Sequence, residues 1–211
     1  MLRLDRSTGA LMRDGGYRFN PTDRRWEAAS GLPAGEPVNA VGAVHWLQRD
    51  SGSPLRIPVG VIGPREADSQ QLEAAQGVGR GLARMGLPVI CGGRQGIMHA
   101  VCQGVAEEGG VSVGILPEGD AQFANPFVSI AIATGIGEAR NALIARAALC
   151  LVAIGNSYGT LSEVALGLQF GKTVIGLMGA AEVAGVAQCV DVPSALDVVA
   201  RSSLALSVPA Q

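Results

Sequence analysis

The stretch IPVGVIG at residues 57–63 is a short, continuously apolar run that ends in glycine, and the chain repeats this pattern further on. Four more runs of the kind lie at 87–91, 111–116, 150–155 and 173–177. Continuous rather than alternating hydrophobicity is typical of strands that are buried on both faces. The five runs therefore predict the strands of one mainly parallel sheet.

Segments with apolar residues at helical spacing separate and follow these strands. They cover residues 70–85, 97–106, 138–148, 160–170 and 194–202. Strands that alternate with helices favour a layered α/β architecture with helices on both faces, joined by right-handed crossovers. The sequence thus predicts a doubly wound, Rossmann-like α/β domain over residues 57–211.

Residues 1–56 differ in composition and predict a small N-terminal β-rich appendage. Asp14-Gly15-Gly16 separates two apolar or aromatic segments, a pattern that favours a β-hairpin. We expect the appendage to dock on the main domain through Trp26 and Trp46. An RNA-binding arm is less favoured, because the arginines of this region are interleaved with acidic residues.

The composition excludes several classes of protein. Of the 211 residues 48% are apolar and 16% charged, and the net charge is −2, so neither disorder nor binding to nucleic acid or an anionic membrane is expected. The four cysteines have no metal-ligand spacing and there are only two histidines, so no metal site is expected. With no signal peptide or membrane-spanning stretch in the sequence, a cytoplasmic protein with reduced thiols is expected.

Glycine is abundant, with 30 residues, and much of it follows the predicted strands. Ligands of open parallel sheets bind beyond the carboxyl ends of the strands, where the strand order reverses. The loops at 92–96 and 155–160 run directly into predicted helices, so free backbone amides and positive helix ends would converge there. This arrangement suits a phosphate group.

Each feature also has a purely structural interpretation. Glycine-rich turns between strand and helix are common in α/β proteins that bind nothing there. Thr160 and Glu163 have the spacing of a capping box, which would explain both residues without a ligand. Glu138 and Arg140 are similarly explained as a first-turn acid and a surface ion pair.

Taken together, four segments are more specific. They are VICGGRQGIMHA (89–100), VGILP (113–117), ATGIGEARN (133–141) and GNSYGTLSEVAL (155–166). In order and content they resemble the LOG family of lysine-decarboxylase-like proteins, which includes nucleoside 5′-monophosphate phosphoribohydrolases, and most of all its branch of molybdenum cofactor carrier proteins. The resemblance covers nearly all of residues 57–180 and none of residues 1–56.

The resemblance implies roles for particular residues and also shows departures. The family pattern P-G-G-x-G-T-x-x-E holds a phosphate and supplies a glutamate for cleavage of a ribosyl bond. Gly159, Thr160 and Glu163 match it, whereas Asn156 and Ser157 stand where the family has glycines. Arg140 matches the family's second catalytic element, but its lysine is replaced by Asn141. Departures inside the catalytic pattern favour binding over cleavage.

We therefore expect a site for a small phosphorylated ligand, a pterin-type molybdenum cofactor or a nucleotide, with no cofactor required for catalysis. The alternative is a phosphoribohydrolase that cleaves an N-glycosidic bond with Arg140 and Glu163, and a third possibility is a nucleotide-sensing regulatory module. The expected ligand-binding residues are Gly63, Arg65, Gly92, Gly93, Arg94, Gly96, Ile97, Met98, Arg140, Asn156, Ser157, Tyr158, Gly159, Thr160 and Glu163.

The predicted helix at 160–170 is apolar on more than one face, which is more than a half-exposed helix requires. Burial of its second face against another copy of the chain would explain this, and the family resemblance also implies homo-oligomers. We expect a homodimer or homotetramer.

Overall fold

The computed structural model of the chain describes residues 1–29 and 35–207, so that residues 30–34 of the predicted appendage and 208–211 of the predicted main domain lie outside it. Its centre is a sheet of seven parallel strands, which are β6 (Val59–Ile62), β7 (Val89–Cys91), β8 (Ser112–Leu116), β9 (Ile130–Ala133), β10 (Leu151–Ile154), β11 (Val174–Leu177) and β12 (Val186–Gln188). Their order in the sheet is β12-β11-β10-β6-β7-β8-β9.

All five predicted strands are present, and the Rossmann-like architecture is confirmed. The two additional strands, β9 and β12, form the edges of the sheet. Every residue of β9 is exposed, and those of β12 are only partly buried, so neither shows the fully apolar pattern of a central strand.

Six α-helices accompany the two sheets in the described part of the chain. They are α1 (Ala40–Arg49), α2 (Ser69–Met85), α3 (Ile97–Glu107), α4 (Asn141–Ala147), α5 (Tyr158–Gln169) and α6 (Val192–Ser203). The predicted helix at 138–148 is split into a short 3₁₀ helix, Gly137–Arg140, and α4.

Alternate residues of the parallel strands enter two separate apolar cores. Val152 and Ile154 of β10 join the core built with α1, α2, α3 and α6, whereas Leu151 and Ala153 join the core built with α4 and α5. Since successive side chains of a strand point to opposite faces, the two cores lie on opposite sides of the sheet. The sheet is therefore doubly wound, as predicted.

Helices α2 and α3 pack with their backbones in direct contact at two glycines. A Cβ atom on Gly79 would overlap the carbonyl oxygen of Val101, and one on Gly104 would overlap that of Gln76. This close crossing fixes α3 against α2.

The N-terminal region forms a second, antiparallel sheet of five strands in the order β4-β3-β2-β1-β5. These strands are β1 (Leu2–Asp5), β2 (Ala10–Arg13), β3 (Tyr17–Asn20), β4 (Arg25–Ala28) and β5 (Glu36–Val38). The predicted hairpin is its β2–β3 pair. Helix α1, which follows β5 and is capped by the Asn39 side chain, was not predicted.

The N-terminal sheet is joined to the last helix of the main domain. The indole nitrogen of Trp26 donates to the carbonyl of Leu204 at 2.8 Å, and the Arg24 guanidinium donates to the carbonyl of Ser202 at 2.9 Å. Trp46 lies in α1 and is buried in the main core. Both tryptophans thus take part in the docking, as expected.

Within the described ranges, no helix combines the length and the apolar character that crossing a membrane would require.

Candidate functional site

A cleft of about 560 Å³ opens at the carboxyl ends of β6, β7 and β10. Strand β6 lies between β7 and β10. After β6 the chain adds β7, β8 and β9 toward one edge of the sheet, and it then adds β10, β11 and β12 toward the opposite edge. The cleft therefore lies where the strand order reverses, as expected for a ligand site of this architecture. Its lining consists of Ile62, Gly63, Pro64, Arg65, Glu66, Gly92, Met98, Glu138, Arg140, Asn141, Asn156, Ser157, Gly159, Thr160 and Glu163.

The amino end of α5 forms one wall of the cleft. Ser157 caps this helix, since its Oγ accepts a hydrogen bond from the amide of Thr160 at 3.1 Å and lies 2.8 Å from the Thr160 hydroxyl. The predicted capping box of Thr160 and Glu163 is wrong, because extended Ser157 takes the cap position and Thr160 lies inside the first turn. Among the described residues the amides of Tyr158 and Gly159 have no acceptor, as an anion-binding helix end requires.

Two glycines keep the floor of the cleft open. A Cβ atom on Gly63 would lie 2.6 Å from the carbonyl oxygen of Ile154, and one on Gly92 would lie 2.5 Å from the guanidinium nitrogens of Arg140. Neither position has room for a side chain. Glycine is therefore required here for the close approach of neighbouring groups and not for a turn.

Arg140 and Glu163 form the buried end of the cleft, with only 4% and 6% of each residue exposed. Arg140 Nη1 lies 3.6 Å from Glu163 Oε1. Burial raises the pKa of the Glu163 carboxyl to about 8, although Arg140 opposes this effect and Glu138 adds to it. The Glu163 carboxyl therefore keeps its proton to a higher pH than a free glutamate does, which weakens its pairing with Arg140.

Two polar atoms at this end have no partner in the described part of the chain. Arg140 Nε is buried without an acceptor, and Asn141 Oδ1 is buried without a donor. Asn141 is held in place by the bond from its Nδ2 to Ser162 Oγ at 3.0 Å. Buried polar groups are normally hydrogen-bonded, so an unpaired donor and an unpaired acceptor beside a cleft indicate a place for a ligand.

Glu138 extends across the mouth of the cleft. Its Oε1 accepts a bond from Arg65 Nη2 at 3.1 Å, and its Oε2 lies 3.9 Å from Arg140 Nη2. The pair joins the loop after β6 to the 3₁₀ helix before α4.

Ten of the fifteen expected residues line the cleft, and the other five serve the loops around it. Arg94 pairs with Glu118, which directs its side chain away from the lining. Gly93 packs against the backbone of Gly114, and Gly96 against the carbonyls of Pro64 and Arg65. Of the remaining two, Ile97 is fully buried, whereas Tyr158 is 94% exposed to solvent.

Five lining residues were not among those expected. They are Ile62, Pro64, Glu66, Glu138 and Asn141. Each lies within two positions of an expected residue, in the same loops. Asn141 could have been found from its position, which is that of the family's lysine beside Arg140.

The chain is similar to known proteins in sequence and in fold. A family model described as the SLOG cluster4 family matches residues 56–202. An uncharacterized protein from Archaeoglobus fulgidus is 40% identical over 119 residues, which cover 56% of this chain and 78% of that protein.

Two solved structures are similar in fold and sequence. The molybdenum cofactor binding protein from the phototrophic bacterium Rippkaea orientalis shares 31% identity at a TM-score of 0.65, covering 69% of this chain and 96% of its own. The molybdenum cofactor carrier protein from Chlamydomonas reinhardtii shares 35% identity at a TM-score of 0.65, covering 72% of this chain and 100% of its own.

Proposed function

The chain belongs to the SLOG cluster4 family, and from that premise we propose that it binds the molybdenum cofactor, a phosphorylated pterin-type ligand, and carries it without cleaving it. The observation that carries this proposal is the buried guanidinium of Arg140, which has an unpaired Nε and lines a cleft that also contains the free amino end of α5. The similar structures from Rippkaea orientalis and Chlamydomonas reinhardtii are proteins described as binding or carrying this cofactor.

The phosphate of the ligand fits at the amino end of α5. The amides of Tyr158 and Gly159 point out of the helix, and the hydroxyls of Ser157 and Thr160 lie beside them. Backbone amides together with the positive end of a helix favour a doubly charged group.

The body of the ligand fits against Arg140 and Asn141. Arg140 Nε offers a donor and Asn141 Oδ1 an acceptor, and both belong to buried residues of the lining. A nitrogen heterocycle carries both the acceptors that a guanidinium group binds and the donors that an amide oxygen binds.

The state of Glu163 supports carriage over cleavage. In a phosphoribohydrolase this carboxylate would stabilise the cationic sugar or activate water, and both roles require the ionised form. Because burial raises the pKa to about 8, Glu163 ionises less readily near pH 7 than a free glutamate does. Burial thus disfavours the form that the alternative function requires.

Loading of the full chain with the molybdenum cofactor tests the proposal. After gel filtration, molybdenum measured by mass spectrometry is expected to co-elute with the wild type and to be lost from Arg140→Gln. The matched control is Arg84→Gln, since Arg84 is an exposed arginine of α2 paired with Glu108. Loss of molybdenum from both variants, or retention by both, would contradict the proposed role of Arg140.

The phosphoribohydrolase alternative has its own test. AMP is incubated with the wild type and with Glu163→Gln, and free adenine is measured by chromatography. We expect no release from either protein. If the wild type releases adenine and the variant does not, the carrier proposal is wrong and the protein is a phosphoribohydrolase.

We also propose that the chain forms homodimers or homotetramers through the face of α4 and α5. Leu143 of α4 and Leu161 of α5 are 46% and 37% exposed. Contact with a second copy would bury them. Light scattering at micromolar concentration tests this, and a mass equal to one chain would contradict it.

The division of the chain at residues 56 and 57 and a cytoplasmic location also remain proposals. No residue of the described N-terminal sheet lines the cleft, so we expect residues 57–211 to contain the complete ligand site. Three of the four cysteines, all of them free, are buried, which suits a reducing compartment.

A further inference from the structure

The position of Glu138 in the cleft is unusual because one carboxylate faces two arginines from separate elements. Arg65 belongs to the loop after β6, and Arg140 ends the 3₁₀ helix that carries Glu138. Their Nη2 atoms lie 3.1 and 3.9 Å from the two carboxylate oxygens. An oxyanion of a ligand would take the same position between the two guanidinium groups.

The ion pair between Glu138 and Arg65 is weak, whereas the backbone that carries Glu138 is held in place. The Glu138 side chain is 64% exposed and that of Arg65 is 49% exposed, and exposed ion pairs are easily exchanged. The backbone before it is fixed, because the amides of Gly135 and Gly137 donate to the carbonyls of Glu118 and Pro117 at 3.0 Å each. Rotation of the Glu138 side chain alone can therefore free both arginines.

The buried arginine has little other compensation. Its contact with Glu163 is long, at 3.6 Å, burial raises the pKa of that carboxyl, and Arg140 Nε has no partner among the described residues. Glu66 also lines the cleft but forms no ion pair in the part of the chain that the structure describes. Removal of Glu138 from its place would leave two positive groups that face an open cleft.

We propose that Arg65 and Arg140 form a second anion subsite, which the carboxylate of Glu138 occupies in the free protein and which an oxyanion of the ligand takes over on binding. This inference rests on the proposed function, because it assigns the first anion, the phosphate, to the amino end of α5. The cleft then selects ligands that carry two separate negative groups. A ligand with a single phosphate gains nothing at the second subsite and leaves Glu138 in place.

Titration with inorganic phosphate, followed by calorimetry at constant ionic strength, tests the subsite without a loaded cofactor. Glu138→Gln keeps the size of the side chain and removes the competing charge. We expect the variant to bind phosphate roughly fivefold more tightly than the wild type, which is the range of an exposed ion pair. In the double variant Arg65→Gln/Glu138→Gln this gain is expected to disappear.

Glu66→Gln is the matched control, since it removes the same charge from the same cleft without freeing an arginine. We expect its affinity for phosphate to change less than that of Glu138→Gln. An equal gain in both variants would show a general effect of charge and overturn the subsite. Equal or undetectable binding by the wild type and Glu138→Gln, or a gain that survives in the double variant, would also overturn it.

The two proposals fail in different ways. If Glu138→Gln gains phosphate affinity but the wild type retains no molybdenum, the carrier function is wrong and the subsite stands. If the wild type retains molybdenum and Glu138→Gln gains nothing, the subsite alone is wrong.

Discussion

Replacement of Glu163 by glutamine is expected to change how the stability of the protein depends on pH. Burial raises the pKa of this carboxyl from 4.5 to about 8 in the folded protein. The folded state therefore binds the proton more tightly than the unfolded state. Protonated Glu163 therefore adds to the free energy of unfolding. This addition is complete below pH 4.5 and is lost as the pH rises to about 8.

The size of the effect follows from the same interval. At 1.36 kcal/mol for each pH unit, the interval from 4.5 to about 8 gives an upper bound of about 5 kcal/mol. Entry of water and movement of Arg140 will reduce this value, so we expect the wild type to lose about 2 kcal/mol more than the variant across the interval. Glutamine has no such titration, and the variant is expected to show a flatter profile.

Urea unfolding followed by circular dichroism at pH 5, 6, 7 and 8 measures the difference. Glu66→Gln provides the control, because it removes an exposed carboxyl from the rim of the same cleft. The reasoning is refuted if Glu163→Gln and the wild type lose stability in parallel, or if Glu66→Gln flattens the profile equally.

Three further predictions concern the fold. Gly104→Ala brings a methyl group against the Gln76 carbonyl, so we expect a loss of roughly 1–3 kcal/mol in urea unfolding, and an unchanged midpoint would contradict the close helix crossing. Trp26→Phe removes the 2.8 Å bond to the Leu204 carbonyl, and we expect a loss of about 1 kcal/mol in the same assay. Burial raises the pKa of the Cys150 thiol to about 12, so we expect it to react with a disulfide reagent only after unfolding, as followed by peptide mass analysis.

The centre of the main sheet could be predicted from the sequence because its strands are buried on both faces. A strand such as Leu151–Ile154 has no exposed position, so all its residues are apolar. Strand β9 has the sequence IAIA, which is equally apolar, but its residues are exposed at the edge of the sheet and follow a stretch without a clear strand signal. Helix α1 was not predicted because the residues before it have a pattern that is typical of β structure.

The place of the cleft could also be predicted, whereas the direction of individual side chains could not. Parallel strands bring their carboxyl ends to one edge, so the glycine-bearing loops had to meet there. Whether an arginine in such a loop enters the cleft depends on its partners in space. Arg94 forms an ion pair with Glu118, and Arg65 forms one with Glu138. Both partners come from distant parts of the chain, where spacing gives no information about them.

The contact of the N-terminal sheet with α6 has a mechanical consequence. Trp26 and Leu204 are 178 positions apart, so their bond closes nearly the whole chain into a ring. Force applied from the carboxyl end reaches the acceptors of Trp26 and Arg24 before it reaches the central strands. Cleavage of the chain before residue 202 removes these acceptors. The N-terminal sheet then loses its hydrogen bonds to the end of the last helix, while the cleft, which α6 does not line, retains every residue of its lining.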